Sequence, residues 1–146
     1  MKTTLKLLFL VLLLTAFSCS VPHDKYRIVG YIAGSNGYDF SKVDAKKLTH
    51  INYAFANIIN GEVMFDTSKF NNIEQNKNDL KALRHLRKIN PDLRVLISVG
   101  GWGWSGNFSD AALNDSTRER FAGSAVRFIS ENDLDGIDLD WEYPNQ

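Results

Sequence analysis

Cysteine is almost absent. Cys19 is the only one among 146 residues, so the chain can form no internal disulfide. An excess of one charge is absent too, since 17 basic side chains face 17 acidic ones. Lys2 and Lys6 belong to the leading segment, which leaves 15 basic against 17 acidic side chains over the rest. Proteins that bind nucleic acid usually carry a basic patch or stripe, and no long run of like charge occurs here, so no nucleic-acid partner is expected. The longest apolar run, Leu7 to Leu14, is too short for an ordinary membrane-spanning helix. A glycine-rich phosphate loop is also missing. The stretch "GYIAGSNG" after the first strand candidate lacks the G-x-G-x-x-G spacing, which argues against dinucleotide binding.

What is present begins with an address. Lys2 and Lys6 precede the apolar run, and small residues follow it around Thr15 to Cys19. A basic start, a short apolar core and a cleavable end make a secretory signal, placed at residues 1–18. Export is expected, to the medium or to the cell surface. Two readings of Cys19 stay open. Its place just after the apolar core resembles a bacterial lipoprotein site, where the cysteine is lipidated, although Ala16 stands where leucine is usual. Simple cleavage after Ala16-Phe17-Ser18 is the alternative. A lipidated Cys19 would anchor the protein to a membrane without spanning it. Residues 19–26, polar and holding Pro22, read as a linker.

From residue 27 a rhythm sets in. "RIVGYIA" (27–33) is β-rich, and residues 40–48 make a short helical turn. "HINYAFANII" (50–59) is a second strand that Asn60-Gly61 breaks. Residues 60–76 form a connection without clear periodicity. Asn78 to Ile89 reads as a helix with Leu80, Leu83 and Leu86 on one side, and Asn90-Pro91-Asp92 stops it. "LRVLISV" (93–99) is a third strand, ended by Gly100-Gly101. Ser116-Thr117-Arg118-Glu119 has the form of a capping box. It opens a helix with Phe121, Ala125, Phe128 and Ile129 at helical spacing. Leu134 to Tyr143 is a fourth strand. The order βαβαβαβ implies an α/β fold with a parallel sheet covered by helices, either an open doubly wound sheet or a barrel.

The last strand carries the chemistry. "DGIDLDWEYP" (135–144) holds four carboxylates in eight positions. Side chains alternate along a strand, so Asp138, Asp140 and Glu142 share one face, opposite Ile137, Leu139, Trp141 and Tyr143. In an open sheet the acids would lie under a helix at a large desolvation cost. In a barrel they line the lumen and rise toward the C-terminal mouth, where barrel active sites sit, while Leu139 and Trp141 suit the helix layer. Asp135 has the opposite parity and serves the turn. Acids this close cannot all ionise cheaply, so at least one pKa should rise. A carboxyl that keeps its proton near neutral pH can act as a general acid, and Glu142 has the longest reach. No histidine lies near this strand, which disfavours a transition metal, while oxygen-only ligation by magnesium or calcium stays open. Neither a metal nor a cofactor is required. Trp102, Trp104 and Tyr143 would share the same mouth, and their flat rings suit the C–H faces of sugars.

These residues carry a resemblance. "DGIDLDWEYP" looks like the D-x-x-D-x-D-x-E signature of family 18 glycoside hydrolases, the chitinases. "SVGGW" (98–102) resembles that family's S-x-G-G motif, and "VGYIAGSNGYDFSKVDAKKLTHINYAFANI" is similar to its first two strands. The likeness covers residues 27–146. It implies a (β/α)8 TIM barrel that cleaves β-1,4 links between N-acetylglucosamine units with help from the substrate's own acetamido group. By resemblance Glu142 is the general acid and base, Asp140 orients the acetamido group, and Asp138 pairs with Asp140. Tyr31 and Ser98 match positions that support the inner carboxylate. Phe55, Gly101, Trp102 and Tyr143 match the substrate-binding wall, with Gly100 and Asp135 as motif support.

A barrel of this kind takes about 250 residues. A chain that stops on strand four would hold its first half, a fragment expected to fold poorly and to be inactive alone, with exposed strand edges. Three other functions compete with a chitinase. A chitin-binding lectin of the same fold would usually lack the acid at position 142. An enzyme cleaving the chitobiose core of N-glycans shares the acid motif. A cation-binding structural domain would unfold on chelation.

Overall fold

A computed structural model describes residues 26–34, 37–67 and 72–145. Cys19, the signal segment and most of the linker lie outside the described residues. The elements are β1 (Val29–Ala33), two 3-10 turns (Phe40–Lys42 and Ala45–Lys47), β2 (His50–Ile59), β3 (Glu62–Met64), α1 (Ile73–Ile89), β4 (Arg94–Gly100), α2 (Phe108–Ala112), α3 (Asp115–Asn132) and β5 (Gly136–Asp140). The strands β1, β2, β4 and β5 lie side by side in that order and all pair in parallel. β3 pairs antiparallel with the end of β2. Among the described residues no helix is long and apolar enough to cross a membrane.

The sheet is built around β2. A central parallel strand that is buried on both faces reads as a nearly continuous apolar run, and "HINYAFANII" does. Ile51, Tyr53 and Ile58 of β2 join Val95, Ile97 and Val99 of β4 in the helix-side layer, none more than 1% exposed. Leu80, Leu83 and Leu86 of α1 close it, with Ala125 and Phe128 of α3. The three leucines recur at helical spacing, which is why this side of α1 turns inward. Burial of each such side chain is worth about 1.5–3 kcal/mol.

One polar knot sits inside that layer. The Tyr53 hydroxyl lies 2.8 Å from Asn76 Oδ1 and 2.8 Å from Asp79 Oδ2. Gln75 Nε2 donates to Asp79 Oδ1 at 2.7 Å. Burial, reinforced by the adjacent Asp79 carboxylate, pushes the Tyr53 phenol far above its ordinary value. The hydroxyl therefore stays protonated as a donor and fixes α1 against β2 with a directional bond.

Several sequence expectations shift. The connection after Asn60-Gly61 is a hairpin, because Asn60 and Gly61 both adopt positive φ and turn the chain back into β3. α1 starts five residues earlier than its leucine spacing suggests, at Ile73. Asn72 caps it, accepting from the N–H groups of Glu74 and Gln75. The box at Ser116–Glu119 is not the cap of α3. That role belongs to Asn114, whose side chain accepts from Thr117 N–H while Thr117 Oγ1 accepts from Asn114 N–H. The tryptophan loop also holds the short helix α2. Finally, β5 ends at Asp140, so Trp141, Glu142 and Tyr143 lie past the strand.

Removal of the Tyr53 hydroxyl tests the polar knot. Tyr53→Phe removes the one proton that this buried site shares between Asp79 and Asn76 and should cost about 1–3 kcal/mol, read as a lower urea midpoint. An unchanged midpoint would show that the hydroxyl contributes nothing to holding α1.

Candidate active site

The face of the sheet opposite the helices carries the acids. Register places Ser98 directly beside Asp138 and Gly100 beside Asp140. Ser98 Oγ, fully buried, donates to Asp138 Oδ2 at 2.7 Å. Tyr31 reaches the same oxygen from β1, its hydroxyl donating at 2.9 Å. Asp138 Oδ2 is thus held by two hydroxyls from two different strands. Such charge-assisted bonds are roughly twice as strong as neutral ones.

The electrostatics follow from the crowding. Asp140 is pushed above the ordinary aspartate range, first by partial desolvation, then by the charges of Glu142 and Asp138. The Tyr31 phenol is also raised. Partial desolvation is the main cause, opposed by a hydrogen bond with Asn52 and reinforced by Asp138 and Asp140.

The two glycines at the end of β4 shape the floor. Gly100 has φ of +105° and Gly101 of +80°, the left-handed side that favours glycine. A Cβ on Gly100 would lie 2.4 Å from the Asp140 carbonyl oxygen, and one on Gly101 would lie 2.9 Å from the Phe55 ring. The missing side chains let the loop press against the end of β5 and against Phe55. Gly101 N–H then donates to Asp140 O at 2.8 Å. Phe55 is the extra residue of a register shift between Ala54 and Ala56, and such a bulge re-aims a side chain. Phe55, Gly101, Trp102 and Trp104 line an open depression of about 430 Å³. Trp102, 80% exposed, meets Tyr143 edge-to-face with ring centroids 6.3 Å apart.

The structure thus brings together Tyr31, Ser98 and Asp138, places Gly100 against Asp140, and groups Phe55, Gly101, Trp102 and Tyr143. Trp141 takes its place on the helix side, stacked on Phe108 at 5.2 Å. Leu139, its expected companion there, is 58% exposed. Glu142 is not set by strand alternation, since it lies beyond β5. Asp135 does more than serve a turn. Its carboxylate accepts from Val95 N–H at 2.8 Å and pairs with Arg94 at 3.1 Å and Arg87 at 3.4 Å, at the end of β5 away from the acids. Among the described residues no group of three or more His, Cys, Asp or Glu is arranged to hold a metal ion. Sequence reasoning missed Ser105, whose buried hydroxyl touches the chain on both sides of Trp141. A serine among glycines and tryptophans reads as a turn, and no spacing signal ties it to residue 142.

Residues 27–146 match the family model described as "Glycosyl hydrolases family 18". The chain belongs to glycosyl hydrolase family 18. It is 36% identical to chitinase A1 of Niallia circulans over 83% of this chain and 24% of that protein. Among solved structures, a family 18 N-acetylglucosaminidase from Paenibacillus barengoltzii shares 40% identity with a TM-score of 0.66, covering 84% of this chain and 33% of that one. A human pseudo-chitinase with retained chitooligosaccharide binding shares the fold, with a TM-score of 0.69 at 24% identity. The chain thus spans a quarter to a third of the length of these two closer relatives. Its four parallel strands correspond to part of the family's TIM barrel.

The raised Asp140 gives a pH test. A carboxyl whose pKa rises on folding keeps its proton in the native state where the unfolded chain has lost it. Folding stability then falls as pH climbs from the ordinary 3.8 through the raised value. Asp140→Asn should remove this slope in urea unfolding between about pH 3 and pH 7. An identical slope in the variant would mean that Asp140 titrates normally.

Proposed function

We propose that this region supplies the acid-bearing part of a barrel that hydrolyses β-1,4-N-acetylglucosamine links in chitin and chitooligosaccharides. The observation that carries the reading is the carboxylate series Asp138, Asp140, Glu142, with Asp138 fixed by Tyr31 and Ser98, running toward an aromatic depression. Glu142 protonates the leaving glycosidic oxygen. The substrate's acetamido oxygen attacks the anomeric carbon to give an oxazolinium, and Glu142 then takes a proton from the water that opens it, with retention of configuration. Asp140 orients the acetamido N–H and offsets the positive charge. Asp138, with Oδ2 held by the Tyr31 and Ser98 hydroxyls, pairs with Asp140 and helps to shuttle its proton. Trp102 and Tyr143 offer ring faces to the sugar.

The test is Glu142→Gln in the full-length protein that carries this region. General acid–base groups contribute about 10²–10⁴-fold, so kcat on chitooligosaccharides should fall by that factor while binding persists. Undiminished hydrolysis in the variant would remove Glu142 from the mechanism. Binding without hydrolysis by the wild type would favour the lectin reading, in which the exposed Trp102 ring beside Tyr143 would serve as the platform. Preference for an N-glycan core over chitotetraose would reassign the substrate.

The same reading takes residues 1–18 as an export signal and places the protein outside the cell or at its surface. Mass spectrometry of the mature N-terminus separates the two readings of Cys19. A diacylglyceryl adduct means a lipid anchor, and an unmodified cysteine means release.

A further inference from the structure

Glu142 is the group on which the proposed chemistry turns, yet no strand holds it. β5 ends at Asp140, so the Glu142 N–H has no ladder partner. That N–H instead donates to the side chain of Ser105 at 2.9 Å. Ser105 stands in the loop after β4, 37 residues away in the chain and only 7% exposed. Its Oγ also lies 2.9 Å from Gly101 O and 3.1 Å from Asp140 O. A hydroxyl has one proton and two lone pairs. It therefore accepts from Glu142 and gives its proton to one of the two carbonyls at a time.

One oxygen atom thus joins three pieces of chain: the glycine pair that closes β4, the last residue of β5, and Glu142 itself. The neighbouring glycines do not hold the loop by contact, since a Cβ on Gly103 or Gly106 would meet nothing within 4 Å. Beside the Trp141–Phe108 stack and the Trp102–Tyr143 contact, a set of polar bonds ties the loop to the end of β5. Gly101 N–H bonds to Asp140 O, Trp104 N–H bonds to Gly101 O at 3.1 Å, and Ser105 bonds across. Without the hydroxyl, the partly buried Glu142 N–H loses its acceptor, and the backbone at residue 142 is freed between the ring contacts of Trp141 and Tyr143.

We propose that Ser105 is a positioning residue for Glu142, setting the height of the carboxyl above Asp140 through the backbone rather than by touching substrate. This rests on the reading of Glu142 as proton donor. A misplacement of about 1 Å in a catalytic group can cost about 10²-fold in rate.

The experiment compares Ser105→Ala, Ser105→Thr and Gly106→Ala in the full-length protein on chitotetraose. Ser105→Ala should lower kcat by about 10- to 100-fold with KM changed less than about threefold, because ground-state sugar contacts remain. Ser105→Thr, which keeps the hydroxyl, should recover most of kcat, and Gly106→Ala should behave as wild type. Full kcat in Ser105→Ala overturns the proposal. So does a loss that merely tracks a lower Tm and a smaller folded fraction. Should the alanine variant fail to fold, Ser105→Cys takes its place, with nearly the same shape and a weak acceptor. Backbone amide exchange decides the link even without turnover. Faster exchange at Glu142 in the variant supports it, and unchanged exchange overturns it. If wild type hydrolyses no chitotetraose, the proposed function fails and this exchange measurement alone judges Ser105.

Discussion

Everything in the acid site depends on the register of β5 against β4. Side chains alternate from one face of a strand to the other. A slip of one residue would send Asp138 and Asp140 toward the helix layer and bring Ile137 out of it. The structure pins that register at both ends. At the start, Val95 and Asp135 exchange two bonds, Asp135 N–H to Val95 O and Val95 N–H to the Asp135 carboxylate, both at 2.8 Å. At the finish, Gly101 N–H reaches Asp140 O, which the glycine pair permits by leaving no Cβ in the way. The first acid of the signature therefore serves the strand, while Asp138 and Asp140 face the side of the sheet opposite the helices.

The arrangement resolves a conflict visible in the composition of the strand. Carboxylates side by side repel, and the repulsion is spread unevenly. Asp138 is bound by two hydroxyl donors, while Asp140 stands between two acids and is pushed upward. The two neighbours therefore stand in different surroundings although they share one face. Arg87 handles the surplus charge at the opposite end, pairing with Asp133 and Asp135.

Much of this was legible in the sequence, where a pattern was local. The alternation in "GIDLD" placed Asp138 and Asp140 on one face, Gly100-Gly101 marked the sharp exit from β4, and Leu80, Leu83 and Leu86 named the inner side of α1. What escaped was set by partners far along the chain or by competition between similar signals. Ser116–Glu119 imitates a capping box, but Asn114 stands two residues earlier and wins with a bond to Thr117. The first two turns of α1 have little apolar rhythm, since Asn76 and Asp79 face inward to meet Tyr53. The strand reading of residues 141–143 failed because the chain leaves β5 to follow Ser105. Ser105 itself gives no local sign, because its importance lies in three atoms supplied by Gly101, Asp140 and Glu142.

The bond from Tyr31 to Asp138 has a geometric consequence. Tyr31 lies on the first strand of the row and Asp138 on the last, with β2 and β4 between them. The phenol is thus a chord drawn across an arc of four strands. Flattening the arc lengthens the chord, and small rotations at each of the three gaps between strands add at its ends. A shift too slight to disturb any one ladder can therefore strip a hydroxyl from Asp138. The two hydroxyls on one carboxylate oxygen therefore hold together only while the sheet keeps its roll.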